Sequence, residues 1–397
     1  MTSTPDQESS AGLPMAGLLV LELASVLAGP QVGQFFAELG ATVLKVEPPA
    51  GDVTRTWKTA AEPADTDQSA YFSSANWGKK SLVLDLTTPA GLAAVHELAA
   101  RADVVVASYK PGDAEKLGVD YAALSALNAR LIYGHLTGYG ADSPRAGYDA
   151  VLQAEAGFMF LNGSPGTPPL KMPVALVDLL AAHQLKEALL TALYRRERTG
   201  RGAYVQVSLL GSALASLANQ AASWLVTGRD PQPLGSAHPS IVPYGTVYTA
   251  ADGQALVLAV GSDRQFAQLC TALDRAEWAG EVRFKTNAAR VQHRNDLEAL
   301  LQARIGEVSG VELLAELERK AVPAGAVRSV AGALGQPGAE AMLLPATPDF
   351  PYPGLRTVAF HSSDWPVVPA LAGPPRLGQH TTEAPVPSAS SNEANEA

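Results

Sequence analysis

A single carboxylate, Asp178, sits in the apolar run Pro173-Val174-Ala175-Leu176-Val177-Asp178-Leu179-Leu180. The helical stretch that follows closes on Tyr194-Arg195-Arg196-Glu197-Arg198-Thr199-Gly200. An acid in such company does one of two things. It caps a helix, its oxygen accepting an orphan backbone N–H, or it is kept for chemistry, since perturbed carboxylates gather at functional sites. A carboxylate attacking an activated acyl group gives a mixed anhydride, a form of covalent catalysis. That chemistry wants an ionised acid, exclusion of water and N–H donors aimed at the developing oxyanion. The start of a helix, whose dipole favours an anion, suits the same residue. On the residues alone both readings stand.

The chain offers few competitors. It has no Walker A pattern and no G-x-G-x-x-G after a strand. Leu27-Ala28-Gly29-Pro30 does set a strand-to-helix turn where backbone N–H groups could meet an anion. The seven histidines are scattered, with no H-E-x-x-H and no close His/Cys pairing, so no metal site is expected. A nucleophilic serine elbow, G-x-S-x-G, is absent as well. His238, in Gly235-Ser236-Ala237-His238-Pro239, stands apart only because it lies in a glycine-bearing loop. Cys270 reads as helix packing. A lone cysteine makes no intrachain disulfide and no thiolate cluster, which fits a reducing compartment.

The elements that must position Asp178 read as alternating strand and helix. Leu19–Leu23 and Thr42–Glu47 are strands around a helix opened by Gly29-Pro30 and closed at Leu39-Gly40, a β-α-β unit. Further strands are expected at Ser81–Asp85, Asp103–Ala107, Arg130–Leu136 and Ala203–Ser208, with a helix from Thr88 to Ala102. The β-branched run Asp103–Ala107 suits a strand buried on both faces. Past Ser208 a long helix is expected over Ala213–Val226, then a hairpin about Asp252-Gly253, then helices over Asp263–Leu273 and Val291–Lys320. The fold class is therefore α/β, a parallel sheet in a large domain plus a smaller α+β domain. The large domain is placed at 13–212, the small one at 228–321, and a segment returning to the large domain at 322–384. Residues 1–12 and 385–397 read as disordered tails.

Bulk composition narrows the class. With 397 residues, 47% hydrophobic and 17% charged, the chain is globular and carries a sizeable core. A net charge of −10 argues against nucleic-acid partners. No apolar run reaches a membrane span and the start lacks a signal peptide's regions, so a cytoplasmic protein without membrane contact is expected.

Together the segments resemble the class III (CaiB/BaiF-type) CoA-transferases. The resemblance is carried by Leu21–Pro30, Leu39–Glu47 and Gly51-Asp52-Val53-Thr54-Arg55, then Asn76–Leu86 and Ser108-Tyr109-Lys110-Pro111-Gly112. Thr199-Gly200-Arg201-Gly202 and Leu377-Gly378-Gln379-His380-Thr381 complete it, over Leu13 to Thr382. It implies an open, Rossmann-like parallel-sheet large domain plus a small domain, an interlocked homodimer, and an acyl-CoA:carboxylate CoA-transferase with no permanently bound cofactor, whose substrates are an acyl-CoA and a small carboxylic acid. Asp178 falls on the family's nucleophile, which passes through an aspartyl mixed anhydride and an aspartyl-CoA thioester. CoA contacts map onto Leu27 and Ala28, Leu84, Asp85, Leu86 and Thr87, Ser108, Tyr109 and Lys110, Lys116, and Ala146, Gly147, Tyr148 and Asp149. Pro48, Thr87 and Ser108 depart from the family's frequent Arg, Lys and Asn.

The related α-methylacyl-CoA racemases use a His and a Glu where this chain has Tyr148 and Thr246, so α-proton exchange lacks its acid/base partners. A catalytically inactive CoA-binding protein is the other alternative. The loop Leu234–Tyr244 is similar to that of enzymes moving CoA between short dicarboxylates such as succinate and glutarate. Gly235 and His238 are its candidate substrate residues, His238 for a distal carboxylate.

Overall fold

The computed structural model describes residues 12–365 and 371–383. The expected disordered tails therefore lie outside the described residues, save Gly12. The strands β1 (Leu19–Leu23), β2 (Thr42–Glu47), β3 (Lys79–Val83), β4 (Val104–Ala107), β5 (Ile132–Thr137) and β6 (Ala203–Ser208) form one sheet. Its order is β3-β2-β1-β4-β5-β6 and every pairing is parallel. Apolar β4 is buried along its whole length, as a strand covered on both faces must be. The strand order reverses between β1 and β4, and in open α/β sheets ligands lie at that switch, beyond the carboxyl ends of the strands.

The helices start where the sequence supplies caps. The helix Ala28–Glu38 (α1) follows β1 directly, and its N-cap residue Leu27 offers no side-chain acceptor. In the helix Pro89–Ala99 (α2), Pro occupies the first turn and Thr88 accepts the Gly91 N–H at 3.1 Å. A short helix Asp149–Glu155 (α3) precedes the long helix Leu176–Thr199 (α4). That helix stops at Gly200, whose φ of 68° is one glycine adopts without strain.

Several boundaries differ from those expected. β3 begins at Lys79 and ends before Asp85, because the Asp85 carboxylate takes the N–H and hydroxyl of Thr87 at 2.9 and 2.6 Å and turns the chain. The long helix expected over Ala213–Val226 is two helices, Leu209–Ser216 (α5) and Ala218–Thr227 (α6). Ser208 caps α5 early, accepting from Gly211 N at 3.0 Å, and Ala218 breaks the run at a φ of 43°. The stretch 291–320 likewise holds separate helices, since Thr286 and Ser309 start fresh ones at Asn287 and Gly310.

The chain forms two compact units. One takes in the chain up to Ala156, Pro173–Ala218 and the part described from Ala341 onward; the other takes in Gly157–Met172 and Asn219–Glu340. The first unit thus cedes 157–172 to the second and regains the chain at 341, later than the 322 expected. In the second unit the hairpin of β7 (Tyr244–Thr249) and β8 (Ala255–Ala259) is joined by β9 (Ala324–Ala326) in an antiparallel sheet. It packs on an apolar cluster that includes Tyr248, Leu258, Phe266, Cys270 and Leu301. No helix among the described residues is long and apolar enough to cross a membrane.

The returning segment is tightly fitted to the first unit. The Trp77 ring meets Phe350 edge-on at 5.7 Å, and a side chain at Gly354 would run into that ring. Gly354→Ala should therefore destabilise the protein by about 1–3 kcal/mol through overpacking, seen as a melting temperature lowered by several degrees. An unchanged melting temperature would refute the close fit.

Candidate active site

Two adjoining cavities open beyond the carboxyl ends of the strands. The first, about 280 Å³, is walled by the β1–α1 turn Ser25–Ala28, by Ser108–Pro111 after β4, by Leu136–Gly138 at the end of β5, by Arg145–Asp149 and by Asp178. The second, about 420 Å³, lies across the ends of β2 and β3, walled by Lys45–Pro48, Gly51–Val53 and Leu84–Thr87. Ser25, Ser108 and Tyr109 belong to both walls, at the point where strand order reverses.

Most of the candidate residues come together here. Leu27, Ala28, Ser108, Tyr109, Lys110, Ala146, Gly147, Tyr148 and Asp149 share the first cavity with Asp178, and Leu84, Asp85, Leu86 and Thr87 line the second. Lys116 is on neither wall. Its ammonium sits in solvent, paired with Asp113 at 3.2 Å one turn back. Gly235 and His238 belong to the other compact unit. There Gly235 takes a φ of 62° and donates its N–H to the Gly163 carbonyl at 2.7 Å. The His238 ring lies edge-on to Tyr244, and its Nδ1 accepts the Ser240 N–H at 3.2 Å.

Asp178 is not the N-cap of α4. It is the third residue of that helix, and the N-cap position, Ala175, carries no side-chain acceptor. The capping is done from elsewhere. Asp149, at the start of α3, accepts the Val177 N–H at 2.8 Å on one oxygen and Gln153 Nε2 at 2.8 Å on the other. Asp178 is left 8% exposed on the cavity wall, and among the described residues no hydrogen bond reaches its carboxylate. Burial, and then the Asp149 carboxylate, push its pKa from the ordinary 3.8 up to about 7. The helix dipole expected to hold it ionised is thus outweighed.

The wall carrying Asp149 depends on two glycines. Gly138, past the end of β5, and Gly147 lie backbone to backbone, and a Cβ added to either would strike the other's Cα. Two residues absent from the sequence-based candidates also belong to this region. Arg145 stacks on Tyr139 and pairs with Glu155 at the cavity edge. The half-buried Tyr71 phenol has its pKa raised by burial and then by the charges of Asp178, Asp149 and Asp52. Neither lies in a motif or an apolar run, so only the folding of distant segments discloses them.

A family model described as CoA-transferase family III matches residues 15–381. The chain belongs to that family. The succinate–glutarate CoA-transferase of Agrobacterium fabrum is 38% identical over 96% of both chains. The succinyl-CoA:glutarate CoA-transferase of Mus musculus is 35% identical, covering 96% of this chain and 87% of its own. A CaiB/BaiF family protein from Brucella suis superposes with a TM-score of 0.82 at 39% identity, over 94% of this chain and 98% of that one. The protein is accordingly an enzyme of the CoA-transferase class, and enzymes of this class use CoA thioesters as substrates.

Two expectations follow from the carboxylate pair. The fold holds a proton on Asp178 that the unfolded chain, titrating near 3.8, has already released between that pH and about 7. Stability contributed by this proton therefore falls as pH rises through that window and is gone above it. Asp178→Asn should melt above the parent at pH 8, by an amount corresponding to about 2–4 kcal/mol, with the gap closing toward pH 4. A gap that ignores pH would contradict the raised pKa. Asp149→Ala removes both the cap and the neighbouring charge. It should cost about 0.5–2 kcal/mol of stability while moving the Asp178 titration, followed by its carboxylate infrared band, to lower pH.

Proposed function

We propose that the enzyme is an acyl-CoA:carboxylate CoA-transferase in which Asp178 carries the acyl group and then CoA. The observation that carries this reading is the buried Asp178 carboxylate, facing the cavity with no hydrogen bond from the described residues. In the first step an Asp178 oxygen adds to the thioester carbonyl and the C–S bond breaks, giving an aspartyl mixed anhydride and CoA thiolate. The thiolate then adds to the aspartyl carbonyl, releasing the donor acid and leaving an aspartyl-CoA thioester. The acceptor carboxylate attacks that thioester, freeing the thiolate and forming a second anhydride. Thiolate attack on the acceptor's acyl carbon regenerates Asp178 and yields the new acyl-CoA. Covalent catalysis divides one hard acyl exchange into easier ones.

The geometry supplies what these steps need. The N–H groups that open α1 have no side-chain cap and border the same cavity, as donors for developing negative charge. Leu27, Ala28, Leu84–Thr87, Ser108–Lys110 and Ala146–Asp149 are the proposed CoA contacts, with Lys110 the cation among them. Succinyl-CoA or a similar short dicarboxylyl-CoA is the proposed donor and a dicarboxylic acid the acceptor, in line with the names of the relatives. Gly235 and His238 are proposed as substrate residues on the loop of the second unit. Proton exchange as in racemases is disfavoured, because Tyr148 and Thr246 stand at the acid/base positions and the Thr246 hydroxyl is bonded to Glu298 at 2.9 Å. A homodimer is proposed as the working form. Helix α6 buries none of its residues and exposes Trp224, Leu225 and Val226, a face suited to a second copy.

Incubation with succinyl-CoA and hydroxylamine should convert Asp178 to its hydroxamate, detected by peptide mass spectrometry. Asp178→Ala should lose both adduct and turnover, by a factor of at least about 10³. The rate of adduct formation should rise with pH to a plateau around a midpoint near 7, because only the carboxylate attacks. CoA bound without any adduct would instead mark an inactive binding protein.

A further inference from the structure

The segment Gly51–Arg55 supplies no group to the proposed chemistry, yet it is densely hydrogen-bonded. Asp52 and Thr54 are buried, and Asp52 accepts the Thr54 N–H and hydroxyl at 3.0 and 2.8 Å. Glu47 fixes Asp52 from behind, accepting its N–H at 2.9 Å, and is itself held by Arg55 through two bonds of 2.7 Å. The other face of Asp52 turns toward the β1–α1 turn. There both carboxylate oxygens accept the Val26 N–H, at 3.4 and 3.3 Å.

Val26 is the anomaly of that turn. Its φ is 72°, in the left-handed region that a β-branched side chain enters only under constraint. Such a conformation persists only where the surroundings over-determine it. They do so here. Lys45 donates to the Ala24 carbonyl at 2.9 Å on one side of Val26, while pairing with Asp52 at 2.9 Å and Glu22 at 3.0 Å. Beyond the turn, Lys79 donates to the Pro30 carbonyl at 2.9 Å and pairs with Glu22 at 2.7 Å. Each of these charged side chains is nearly or wholly buried. One ionic network therefore grips the backbone before, at and after Val26. Val26 itself, with its neighbours Ser25, Leu27 and Ala28, lines the cavity that holds Asp178.

We propose that Asp52 and Lys45 are positioning residues for catalysis, a clamp that holds the strained Val26 turn so that Ser25–Ala28 faces the acyl group on Asp178. The inference rests on the reading of Asp178 as acyl carrier. When the clamp is loosened, Val26 relaxes to negative φ and carries Leu27 and Ala28 out of register with the reacting carbonyl. The burden falls on the chemical step, and substrate affinity changes less.

The strain itself provides the test, because glycine takes φ near 70° without penalty. Hydroxamate formation on Asp178 from succinyl-CoA is followed in the full-length protein for four forms: parent, Asp52→Ala, Val26→Gly and the double variant. Asp52→Ala should slow adduct formation roughly ten- to a hundredfold, with KM changed less than about threefold, and the double variant should recover at least about fivefold of that loss. Its melting temperature should stay with that of Asp52→Ala, since a purely structural role would tie activity to stability. Lys45 keeps Glu22 and the Ala24 carbonyl when Asp52 is removed; if Asp52→Ala is nonetheless insoluble, the near-isosteric Asp52→Asn replaces it in the same comparison. An Asp52 variant that reacts as fast as the parent overturns the clamp, and so does a double variant no faster than the Asp52 variant alone. A parent that forms no adduct at all would count against Asp178 as carrier, a result separate from either of these.

Discussion

A helix that begins at the wall of a cavity presents N–H groups that nothing inside the helix can satisfy, and something must meet them. In this protein the acceptor comes from another element, the Asp149 carboxylate on Val177. That one hydrogen bond decides what Asp178 is available for. Had Asp178 capped its own helix, its oxygens would point along the backbone and be spent. With Asp149 in the role, Asp178 faces the cavity unengaged. The arrangement has an electrostatic cost, because the capping carboxylate is also the charged neighbour that helps lift the pKa of Asp178.

The opposite strategy governs three other buried carboxylates. Glu22, Glu47 and Asp52 are each matched by Lys45, Arg55 or Lys79 at short range. Burial works against the Lys45 ammonium, and the carboxylates of Glu22, Asp52 and Glu47 outweigh it, so its pKa is raised. For Lys79 burial prevails over the pull of Glu22, and the pKa falls to about 8. Replacing such pairs by apolar groups is often neutral for stability, so their value here lies in direction more than in energy. They tie particular carbonyls and N–H groups of the β1–α1 turn to particular strands. One compact unit thus contains both kinds of carboxylate, those bonded to cations and, in Asp178, one left without a hydrogen bond among the described residues.

Much of this was legible in the sequence. The strands Leu19–Leu23, Thr42–Glu47 and Ala203–Ser208 fall where their apolar and β-branched residues put them, and Val104–Ala107, buried throughout, carries the unbroken hydrophobic signature of a parallel strand covered on both faces. Boundaries failed where side chains intervened: Asp85 ends β3 early, and Ser208 and Ser309 begin helices that periodicity alone would run together. Asp178 stood out by composition. Its release from capping did not, since that depends on Asp149, which lies 28 positions before the capped Val177. Lys116 shows the converse: a cation at a suitable motif position reads as a ligand contact, while its side chain extends into solvent beside Asp113, on neither cavity wall. Tyr71 and Arg145 carried no local signal at all, as their relevance comes entirely from neighbours brought in by the fold.

The unit bearing Asp178 is closed by its last-made residues. Buried Glu38 is met by the Thr357 and Val358 N–H groups, Arg55 donates to the Pro375 carbonyl, and Ser81 is bonded to Gly378 and His380. During synthesis, when amino-terminal segments ordinarily fold first, these bonds to the returning segment form only after the second unit has emerged in full. An incomplete chain therefore lacks partners that only the returning segment supplies to Glu38, Arg55 and Ser81.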